Sequence, residues 1–313
     1  MVPEKLQFII NPAAGGGKAG RSWQAVRREV VRLLGAVRES YTTLPGEATL
    51  LARRSLLEGV DGIVCVGGDG TLNEVINGFM SDEGPVRPEV HLAYLPCGTG
   101  CDFIRTLRQS RNVLETLRRI LPFHTTLIDL GRVRCRDHRG APLARYFHNI
   151  TSFGLGGEVN NRVNRSRKRF GGLPSFLLAT GVSVLRYKKK KIRLRVDDGF
   201  DRELSCWNIA VANGQFHGGG MWVAPDARID DGILHVTVLG DFALPEVLVQ
   251  LPRLYNGKIY GHRKILNLSG RHIEALSDEP VLIDMDGEQP GRLPLTIDIV
   301  PRCLSLVISR DLS

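Results

Sequence analysis

The stretch Val64-Cys65-Val66-Gly67-Gly68-Asp69-Gly70-Thr71-Leu72-Asn73-Glu74-Val75 joins a short apolar run to a helix-compatible run through three glycines and one aspartate. Glycine lets a backbone approach a phosphate closely, and the start of the next helix adds the positive end of its dipole. A carboxylate among phosphates makes physical sense when it holds a metal, directly or through water. The stretch therefore predicts a nucleotide-phosphate loop with Mg²⁺ at Asp69. A tight strand-to-helix turn without a ligand is the alternative.

A second glycine-rich loop, Leu95-Pro96-Cys97-Gly98-Thr99-Gly100-Cys101-Asp102-Phe103, also follows a predicted strand. Loops at the same ends of parallel strands converge on one crevice, so Asp69 and Asp102 are expected to face the same site. Thr71 and Thr99 would donate hydroxyl hydrogen bonds to phosphate oxygens. Two unrelated turns are the alternative.

The composition indicates a globular chain with an anionic partner. At 313 residues two domains are expected, and a net charge of +9 favours nucleic acid, a phosphorylated ligand or an anionic membrane surface. The longest apolar stretch, Phe176 to Leu185, is about half of a transmembrane span, so membrane contact would be peripheral. The six cysteines have no paired zinc spacing, and the start of the chain has no signal-peptide apolar region, which together indicate reduced thiols in the cytosol.

The first part of the chain alternates strands and helices, which predicts a parallel, doubly wound α/β sheet. Strands are predicted at Leu6–Ile10, Val37–Thr42, Gly62–Val66 and His91–Leu95, and helices at Trp23–Leu34, Ala48–Leu57, from the first glycine-rich loop to Phe79, and Val113–Leu121.

The pattern changes between residues 125 and 132 to short alternating segments, which predict an antiparallel sandwich or barrel interrupted by a single helix, Pro174–Arg186. The strands are predicted at Thr126–Leu130, Tyr146–Ile150, Ile192–Val196, Trp207–Ala212, Leu234–Leu239, Val281–Met285, Leu295–Val300 and Leu304–Ile308.

Two acidic motifs lie in this second part. In Ile283-Asp284-Met285-Asp286-Gly287-Glu288, strand alternation places Asp284 and Asp286 on one face, and a carboxylate there could accept a hydroxyl proton. An ordinary Asp-Gly turn is the alternative. The oxygen-rich loop from Pro225 to Gly232 could bind a hard cation or be a solvated loop.

Two basic clusters flank the predicted helix and suit an anionic bilayer surface, although a solvated charged face would have the same composition. Aromatic residues are not interleaved as in a platform for single-stranded nucleic acid, so no nucleic-acid partner is expected. The clusters comprise Arg162, Arg165, Arg167, Lys168 and Arg169, and then Arg186, Lys188 to Lys191, Arg193 and Arg195.

Together these motifs resemble the diacylglycerol-kinase catalytic family, in particular its soluble bacterial lipid kinases. The resemblance spans nearly the whole chain, and the matching pieces stand in family order. They are Asn11-Pro12 with its glycine-rich turn, Thr42-Thr43, the loop Gly67 to Glu74, the loop Pro96 to Phe103, Ile128 to Gly131, Asn213-Gly214, Asp230 to Gly232, and Asp286 to Glu288.

The resemblance implies an N-terminal α/β domain over residues 1–130, similar to phosphofructokinases and NAD kinases, and a C-terminal all-β sandwich over 131–313 that takes the lipid acceptor. The last residues could pack back on the first domain, and the active cleft would lie between the two.

The resemblance also implies ATP and Mg²⁺ as cofactors. The residues implied to contact ATP are Asn11, Pro12, Ala13, Ala14, Gly15, Thr43, Gly67, Gly68, Asp69, Gly70, Thr71, Leu72, Asn73 and Thr99. Asp69, Asp102 and Asp129 would organise the catalytic Mg²⁺ through water, and Asp69 would also be catalytic. The acceptor base would be Asp286 or, failing that, Glu288. A structural cation would take Asp231 together with backbone oxygens of Arg228 and Ile233.

The expected activity is transfer of the γ-phosphate of ATP to the hydroxyl of a membrane lipid such as diacylglycerol or a sphingoid lipid. The expected protein is cytoplasmic and peripherally associated with anionic membranes. Its oligomeric state is open, a homodimer included. Two alternatives remain: a kinase of a soluble small molecule, as in NAD kinase, and a catalytically weak nucleotide-binding membrane-associated protein. The latter is supported only by Cys101, which stands where the family often has asparagine.

Overall fold

The computed structural model describes residues 4–98, 100–166 and 181–309. The chain divides into two compact units, of which one contains the residues up to Asp129 together with those from Pro301 onward. The other unit runs from Leu130 to Val300. Among the described residues, no helix combines the length and the apolar character that crossing a bilayer requires.

The first unit is built on a parallel sheet with the strand order β19-β6-β3-β1-β2. Its strands are β1 (Leu6–Ile10), β2 (Arg38–Tyr41), β3 (Gly62–Gly67), β6 (His91–Pro96) and the end of β19 (Arg292–Ile308). A short hairpin is formed by β4 (Met80–Ser81) and β5 (Gly84–Pro85). The α/β prediction for this half is confirmed.

The helices of the first unit are α1 (Lys18–Leu34), α2 (Glu47–Leu57), α3 (Asp69–Phe79), α4 (Asp102–Thr106) and α5 (Val113–Ile120). Trp23, Val26 and Val30 recur on one side of α1 and are buried against β1, whose five residues are all buried. Continuous apolar strands of this kind are typical of a parallel sheet that is covered on both faces.

The second unit is an antiparallel β-sandwich, as predicted. One sheet has the order β16-β15-β12-β9-β18, and the other contains β11, β10, β17 and the beginning of β19. Apolar side chains of both sheets, for example Phe153 and Leu194, form the buried core between them. The strands are β7 (His124–Arg136, which begins in the first unit), β8 (Pro142–Phe147), β9 (Ile150–Gly154), β10 (Lys190–Val196), β11 (Phe200–Cys206), β12 (Asn208–Ala212), β13 (Phe216–His217), β14 (Met221–Trp222), β15 (Leu234–Leu239), β16 (Ile265–Gly270), β17 (His272–Leu276) and β18 (Ile283–Met285).

The prediction of a single helix in this half is wrong. Two further helices, α6 (Leu155–Ser166) and α7 (Leu244–Leu254), contribute to the apolar layer on the outer face of the β9-β12 sheet. Gly156 and Gly157 weaken the helical signal of α6, which explains why its pattern was not recognised. The predicted helix Pro174–Arg186 lies partly outside the described residues, and residues 181–186 are helical.

Two predicted strand boundaries are also wrong. The segment Tyr146–Ile150 is the junction between β8 and β9, because the N–H groups of His148 and Asn149 donate to the Asp286 carboxylate. The two predicted strands Leu295–Val300 and Leu304–Ile308 are one strand, β19. Arg302 has a left-handed backbone with φ 47°, and its N–H donates to Asp129 Oδ1 at 2.7 Å, which maintains hydrogen bonding through the distortion.

Candidate active site

Three loops at the carboxyl ends of β1, β3 and β6 are in direct contact in the first unit. The side-chain amide of Asn11 donates to Thr71 Oγ1 at 2.9 Å, which joins the first loop to the second. The N–H of Cys97 donates to the carbonyl of Gly67 at 2.7 Å, which joins the second loop to the third. The structure thus brings together the glycine-rich segments that the sequence places far apart.

Glycine is required where these loops meet. A Cβ on Gly98 would lie 2.6 Å from the Cα of Gly68, and a Cβ on Gly15 would lie 2.8 Å from the carbonyl oxygen of Cys97. Gly15 also has φ +62°, a conformation that other residues rarely adopt. The loops therefore form a compact backbone cradle, a kind of arrangement that lets main-chain N–H groups approach a phosphate closely.

Asp69 and Asp102 lie beside this cradle, as predicted from the two loops. Oδ2 of Asp69 accepts a hydrogen bond from the N–H of Asp102 at 2.8 Å. A Cβ on Gly100 would lie 3.7 Å from Oδ2 of Asp69 and 3.7 Å from Oδ2 of Asp102, so both carboxylates border the space that this glycine leaves open. Carboxylate oxygens around an open space are a donor set that fits hydrated Mg²⁺.

Tyr94 and Arg105 hold the two aspartates in place. The Tyr94 hydroxyl donates to Asp69 Oδ1 at 3.4 Å, and the Arg105 Nε lies 3.6 Å from Asp102 Oδ1. Burial raises the pKa of Tyr94 well above its ordinary value, so the phenol remains a neutral donor. Sequence reasoning missed Tyr94, since a tyrosine in a buried strand carries no signal of this contact.

Asp129 has a different setting from the other two aspartates. Its side chain is completely buried, and its Oδ1 accepts from the N–H of Arg302 at 2.7 Å. Among the described residues, no three acidic, histidine or cysteine side chains gather closely enough to hold a metal. Asp129 thus holds the distorted backbone of β19 at Arg302, and its assignment to Mg²⁺ stays a prediction.

The remaining residues assigned to ATP differ in their accessibility. Asn11 to Gly15 are exposed or half-buried, as are Gly68 to Gly70, whereas Leu72 and Asn73 are completely buried in α3. Leu72 and Asn73 thus belong to the packed interior, and their assignment to ATP stays a prediction. Thr43 is exposed at the end of β2, where its N–H and hydroxyl both donate to Glu47. Thr99 lies outside the described residues.

Cys101 adopts a left-handed backbone with φ 48° at the start of α4. Asparagine tolerates this conformation better than most residues, which gives a physical reason for an asparagine at this position in related sequences. The thiol is 2 % exposed, and burial raises the pKa of Cys101 to about 11, so it is a neutral side chain in the loop. The Tyr94 hydroxyl oxygen lies 3.7 Å from its Sγ.

In the second unit, Asp286, Gly287 and Glu288 form a tight turn at the end of β18. Asp286 has φ 49° and Gly287 has φ +86°, and Met285 and Glu288 exchange two backbone hydrogen bonds of 2.8 Å each. Two positive φ angles in succession are the signature of a type I′ turn, which fits the Asp-Gly sequence. Glu288 emerges from the turn half-buried.

Asp286 is buried at the base of this turn. Its carboxylate accepts from three backbone N–H groups, those of His148 at 2.9 Å, Asn149 at 3.2 Å and Ile150 at 2.9 Å. Nδ1 of His148 lies 2.7 Å from Oδ2 of Asp286, and neither side chain is exposed. Burial alone would raise the pKa of Asp286, but the charge of His148 and the hydrogen bonds outweigh it and hold that pKa below its usual range.

Asp284 lies two residues earlier and is also paired with a histidine. Its Oδ2 is 3.1 Å from His217 Nε2, and its Oδ1 accepts from the side-chain amide of Asn160 at 2.8 Å. Asp284 and Asp286 thus each have their own hydrogen-bonding partners. Sequence reasoning missed His148, His217 and Asn160, because the contacts join segments more than 60 residues apart in the chain.

The Asp230-Asp231-Gly232 loop is a local turn. Oδ1 of Asp231 accepts from the N–H of Ile233 at 3.1 Å, and Arg228 Nε lies 3.4 Å from Asp230 Oδ1. A cation at this loop would depend on main-chain carbonyls and water in addition to Asp231.

Ion pairs neutralise much of the second basic cluster. Lys189 contacts Asp241, Lys190 Nζ lies 2.8 Å from Glu279, and Arg193 lies 2.8 Å from Asp201. Arg195 contacts Asp198 and Glu274. In the first cluster, Arg167, Lys168 and Arg169 lie outside the described residues.

Comparison with known proteins shows the family to which this chain belongs. Residues 5–133 match the diacylglycerol kinase catalytic domain, and residues 149–308 match the YegS C-terminal NAD kinase beta sandwich-like domain. The chain therefore belongs to the family of diacylglycerol-kinase-type phosphotransferases, which transfer phosphate from ATP to an alcohol group.

Individual relatives extend over nearly the whole chain. A diacylglycerol kinase of Staphylococcus carnosus is 28% identical over 294 residues, which cover 93% of this chain and 90% of that protein. A diacylglycerol kinase of Staphylococcus aureus is 26% identical and covers 99% of this chain and 94% of its own length. A crystal structure of a putative diacylglycerol kinase from Bacillus anthracis covers 100% of both chains with a TM-score of 0.79 and 24% identity, and it shows that the fold is shared.

Proposed function

We propose that this phosphotransferase acts on the hydroxyl group of a membrane lipid, such as diacylglycerol or a sphingoid lipid, with ATP and Mg²⁺ as cofactors. The use of ATP and Mg²⁺ is supported by one observation, the cradle of three glycine-containing loops with Asp69 and Asp102 beside it. The relatives named diacylglycerol kinase, which match over nearly the full chain, support a lipid acceptor.

The first unit would bind and orient the nucleotide. Backbone N–H groups of the loop from Gly67 to Gly70 would donate to phosphate oxygens, and Asp69 and Asp102 would hold Mg²⁺ through its water ligands. The metal, when bound, would neutralise charge that develops on the transferring phosphoryl group. Catalysis of phosphoryl transfer is mostly positioning and electrostatic stabilisation, which a rigid cradle of this kind can supply.

The second unit would supply the acceptor base, and Glu288 is the better candidate of the two carboxylates. Asp286 is buried, and its carboxylate accepts hydrogen bonds from three backbone N–H groups. Its pKa is lowered, so the carboxylate is both hard for a substrate hydroxyl to reach and a weak base. Glu288 is half-buried at the mouth of the turn that Asp286 fixes. Glu288 would accept the hydroxyl proton while the lipid oxygen forms a bond to the γ-phosphorus and the bond from that phosphorus to ADP breaks.

We also propose that the protein works at the cytoplasmic surface of anionic membranes without inserting a helix. The net charge of +9 supports attraction to such a surface. Exposed charges are screened over about 8 Å at physiological salt, so vesicle binding should weaken as salt rises.

The decisive experiment is transfer of labelled γ-phosphate to a panel of acceptors in anionic vesicles, with NAD as a water-soluble acceptor in parallel. Labelling of a lipid by the wild type, and loss of labelling in Asp69→Ala with an intact circular dichroism spectrum, would support the proposal. NAD is included because the second family match is described as NAD kinase-like. Labelling of NAD alone would replace the lipid proposal with the small-molecule one.

A further inference from the structure

A cavity of about 530 Å³ opens on the second unit, away from the Asp286 turn. Its walls are largely apolar and come from residues 184–187, the β11-β12 connection and the segment before α7. The apolar and aromatic lining residues are Val184, Leu185, Tyr187, Trp207, Phe242 and Leu244. The volume lies within the range of roughly 300–1,000 Å³ that is typical of small-molecule sites.

The cavity lies at a distance from Asp286, whose turn carries the proposed acceptor base Glu288. The carbonyl of Ile150, at the start of β9, accepts from the N–H of Asp286. At the other end of β9, a Cβ on Gly154 would meet the Trp207 carbonyl at 2.7 Å and the Tyr187 hydroxyl at 3.2 Å. These two residues line the cavity, so roughly 13 Å of strand lies between it and Asp286.

The rim of the cavity is cationic. Lys188, Lys189 and Lys191 line it, together with the single carboxylate of Glu279. Lys189 is paired with Asp241, and Lys190 is paired with Glu279. Positive charge therefore remains at the rim from Lys188 and Lys191, both of which are exposed.

The hydroxyl of Tyr187, one of the wall residues, is enclosed by protein near Gly154. The hydroxyl oxygen of Tyr187 is shielded from water and has no hydrogen-bond partner among the described residues. Burial raises the pKa of Tyr187 above its ordinary value, so the group remains a protonated donor. Tyr187 therefore contributes its aromatic ring, and not its hydroxyl, to the wall of the cavity.

We infer that this cavity binds a single-chain anionic amphiphile, such as a fatty acid, at a site separate from phosphotransfer. The chain would lie against Leu185, Trp207 and Phe242, and the anionic head group would face Lys188 and Lys191. The apolar wall and the lysine rim each argue against a ligand that has only a charged group or only an apolar chain. A small soluble anion would leave the apolar wall uncovered, and a neutral amphiphile would make no use of the lysines.

The test is titration calorimetry of the full chain with laurate below its micellar concentration and without nucleotide. A neutral twelve-carbon sugar amphiphile and acetate serve as the chain-only and head-only probes. We expect saturable laurate binding at one site and at least tenfold weaker binding of both other probes. Equal affinity for the neutral amphiphile, or no saturable laurate binding, would overturn the inference.

Two variants locate the site. Lys188→Glu/Lys191→Glu removes the cationic rim, and Leu185→Ser removes an apolar side chain that is 64% exposed and therefore not needed for the core. Each should weaken laurate binding about tenfold or more. The matched controls Arg28→Glu/Lys258→Glu and Leu50→Ser, all at exposed positions outside the cavity, should leave binding unchanged. Unchanged binding in both cavity variants would also overturn the inference.

The source of the amphiphile is tested by competition. Displacement of laurate by anionic phospholipid vesicles at matched lipid concentration would identify a bilayer lipid as the occupant and contradict the free amphiphile. Because none of these measurements needs ATP or an acceptor, their failure would leave the proposed phosphotransfer untouched.

Discussion

Asp286 and His148 form a pair that is completely shielded from solvent, with Nδ1 of the imidazole 2.7 Å from Oδ2 of the carboxylate. Three backbone N–H groups also point to this carboxylate, so it joins the start of β9 to the turn after β18. This arrangement makes Asp286 a fixed anchor. The two carboxylates that the sequence offered as candidates for the base, Asp286 first and Glu288 second, therefore differ in their setting, because only Asp286 is enclosed in this way.

The first prediction concerns Asp286→Asn. Loss of a buried carboxylate that accepts three backbone N–H groups is strongly destabilising, so the free energy of unfolding should fall by about 3 kcal/mol. Denaturant unfolding monitored by circular dichroism measures this change. The matched control is Asp201→Asn, which breaks a solvent-exposed pair with Arg193 and should have little effect. Equal stability of Asp286→Asn and the wild type would show that the buried pair is not an anchor.

The second prediction concerns Glu288→Gln. Loss of a positioned base should lower turnover by about 10²- to 10⁴-fold, while the thermal midpoint stays close to that of the wild type because Glu288 is only half-buried. Steady-state phosphotransfer and thermal unfolding are measured on the same preparation. Glu203→Gln, an exposed change on β11, is the control and should keep full activity. Wild-type turnover in Glu288→Gln would place the base elsewhere.

The third prediction concerns the contact between Gly98 and Gly68. A Cβ on Gly98 would lie 2.6 Å from the Gly68 Cα, so Gly98→Ala must push the two loops apart. Overpacking typically costs about 1–3 kcal/mol, and we expect ATP affinity to fall at least tenfold. Nucleotide binding by calorimetry tests this. Gly199→Ala, where nothing lies within 4 Å, is the control. Unchanged ATP affinity in Gly98→Ala would show that the contact between Gly98 and Gly68 is not part of the nucleotide site.

The fourth prediction concerns the pH dependence of stability at His272. Hydrogen bonds to Asp298, at 2.7 Å, and to Glu274, at 3.2 Å, raise the pKa of His272 above its ordinary value of 6.5. Because the folded-state pKa is raised, the stabilisation is fully present below about pH 6.5 and is lost as pH rises through the folded-state pKa. The side chain is 41% exposed, so the effect should be below about 1 kcal/mol.

The comparison of wild type with His272→Gln measures this effect by urea unfolding across pH 5 to 9. The difference in stability between the two proteins should be largest at the acid end and should shrink as pH rises. Arg134 contacts Asp298 and Arg195 contacts Glu274, so both guanidinium groups must remain in the two proteins compared. A difference that does not vary with pH would contradict the assigned role of His272.

The sequence predicted the first unit more accurately than the second for a physical reason. In a parallel sheet the strands are continuous apolar runs, and the loops that form the site follow them directly, as Asp69 follows β3. Periodicity and glycine spacing therefore located the main strands and helices and the glycine-rich loops that follow them. The folded structure was needed for the accessibility of individual residues, such as buried Leu72 and Asn73, and for side-chain contacts such as that of Tyr94 with Asp69.

In the second unit, the contacts that define the site join segments far apart in the chain. The Asp286 carboxylate ends one predicted strand by taking the N–H groups of His148 and Asn149, 138 and 137 positions earlier. Neither residue has a sequence feature that announces this pairing. The Asp-Gly turn itself was recognisable, whereas the choice between Asp286 and Glu288 depends on burial, which local patterns do not specify.

Because the end of β19 belongs to the first unit, the sheet of that unit can be completed only after the second unit has been synthesised. Leu306, near the end of this strand, pairs with Leu92 of β6 in the first unit. On the ribosome, the first unit would therefore emerge with the edge of β6 unpaired, and that edge would be closed only after the whole second unit has been translated. An open strand edge is a template for aggregation, so the nascent chain needs chaperone protection or rapid completion during that interval.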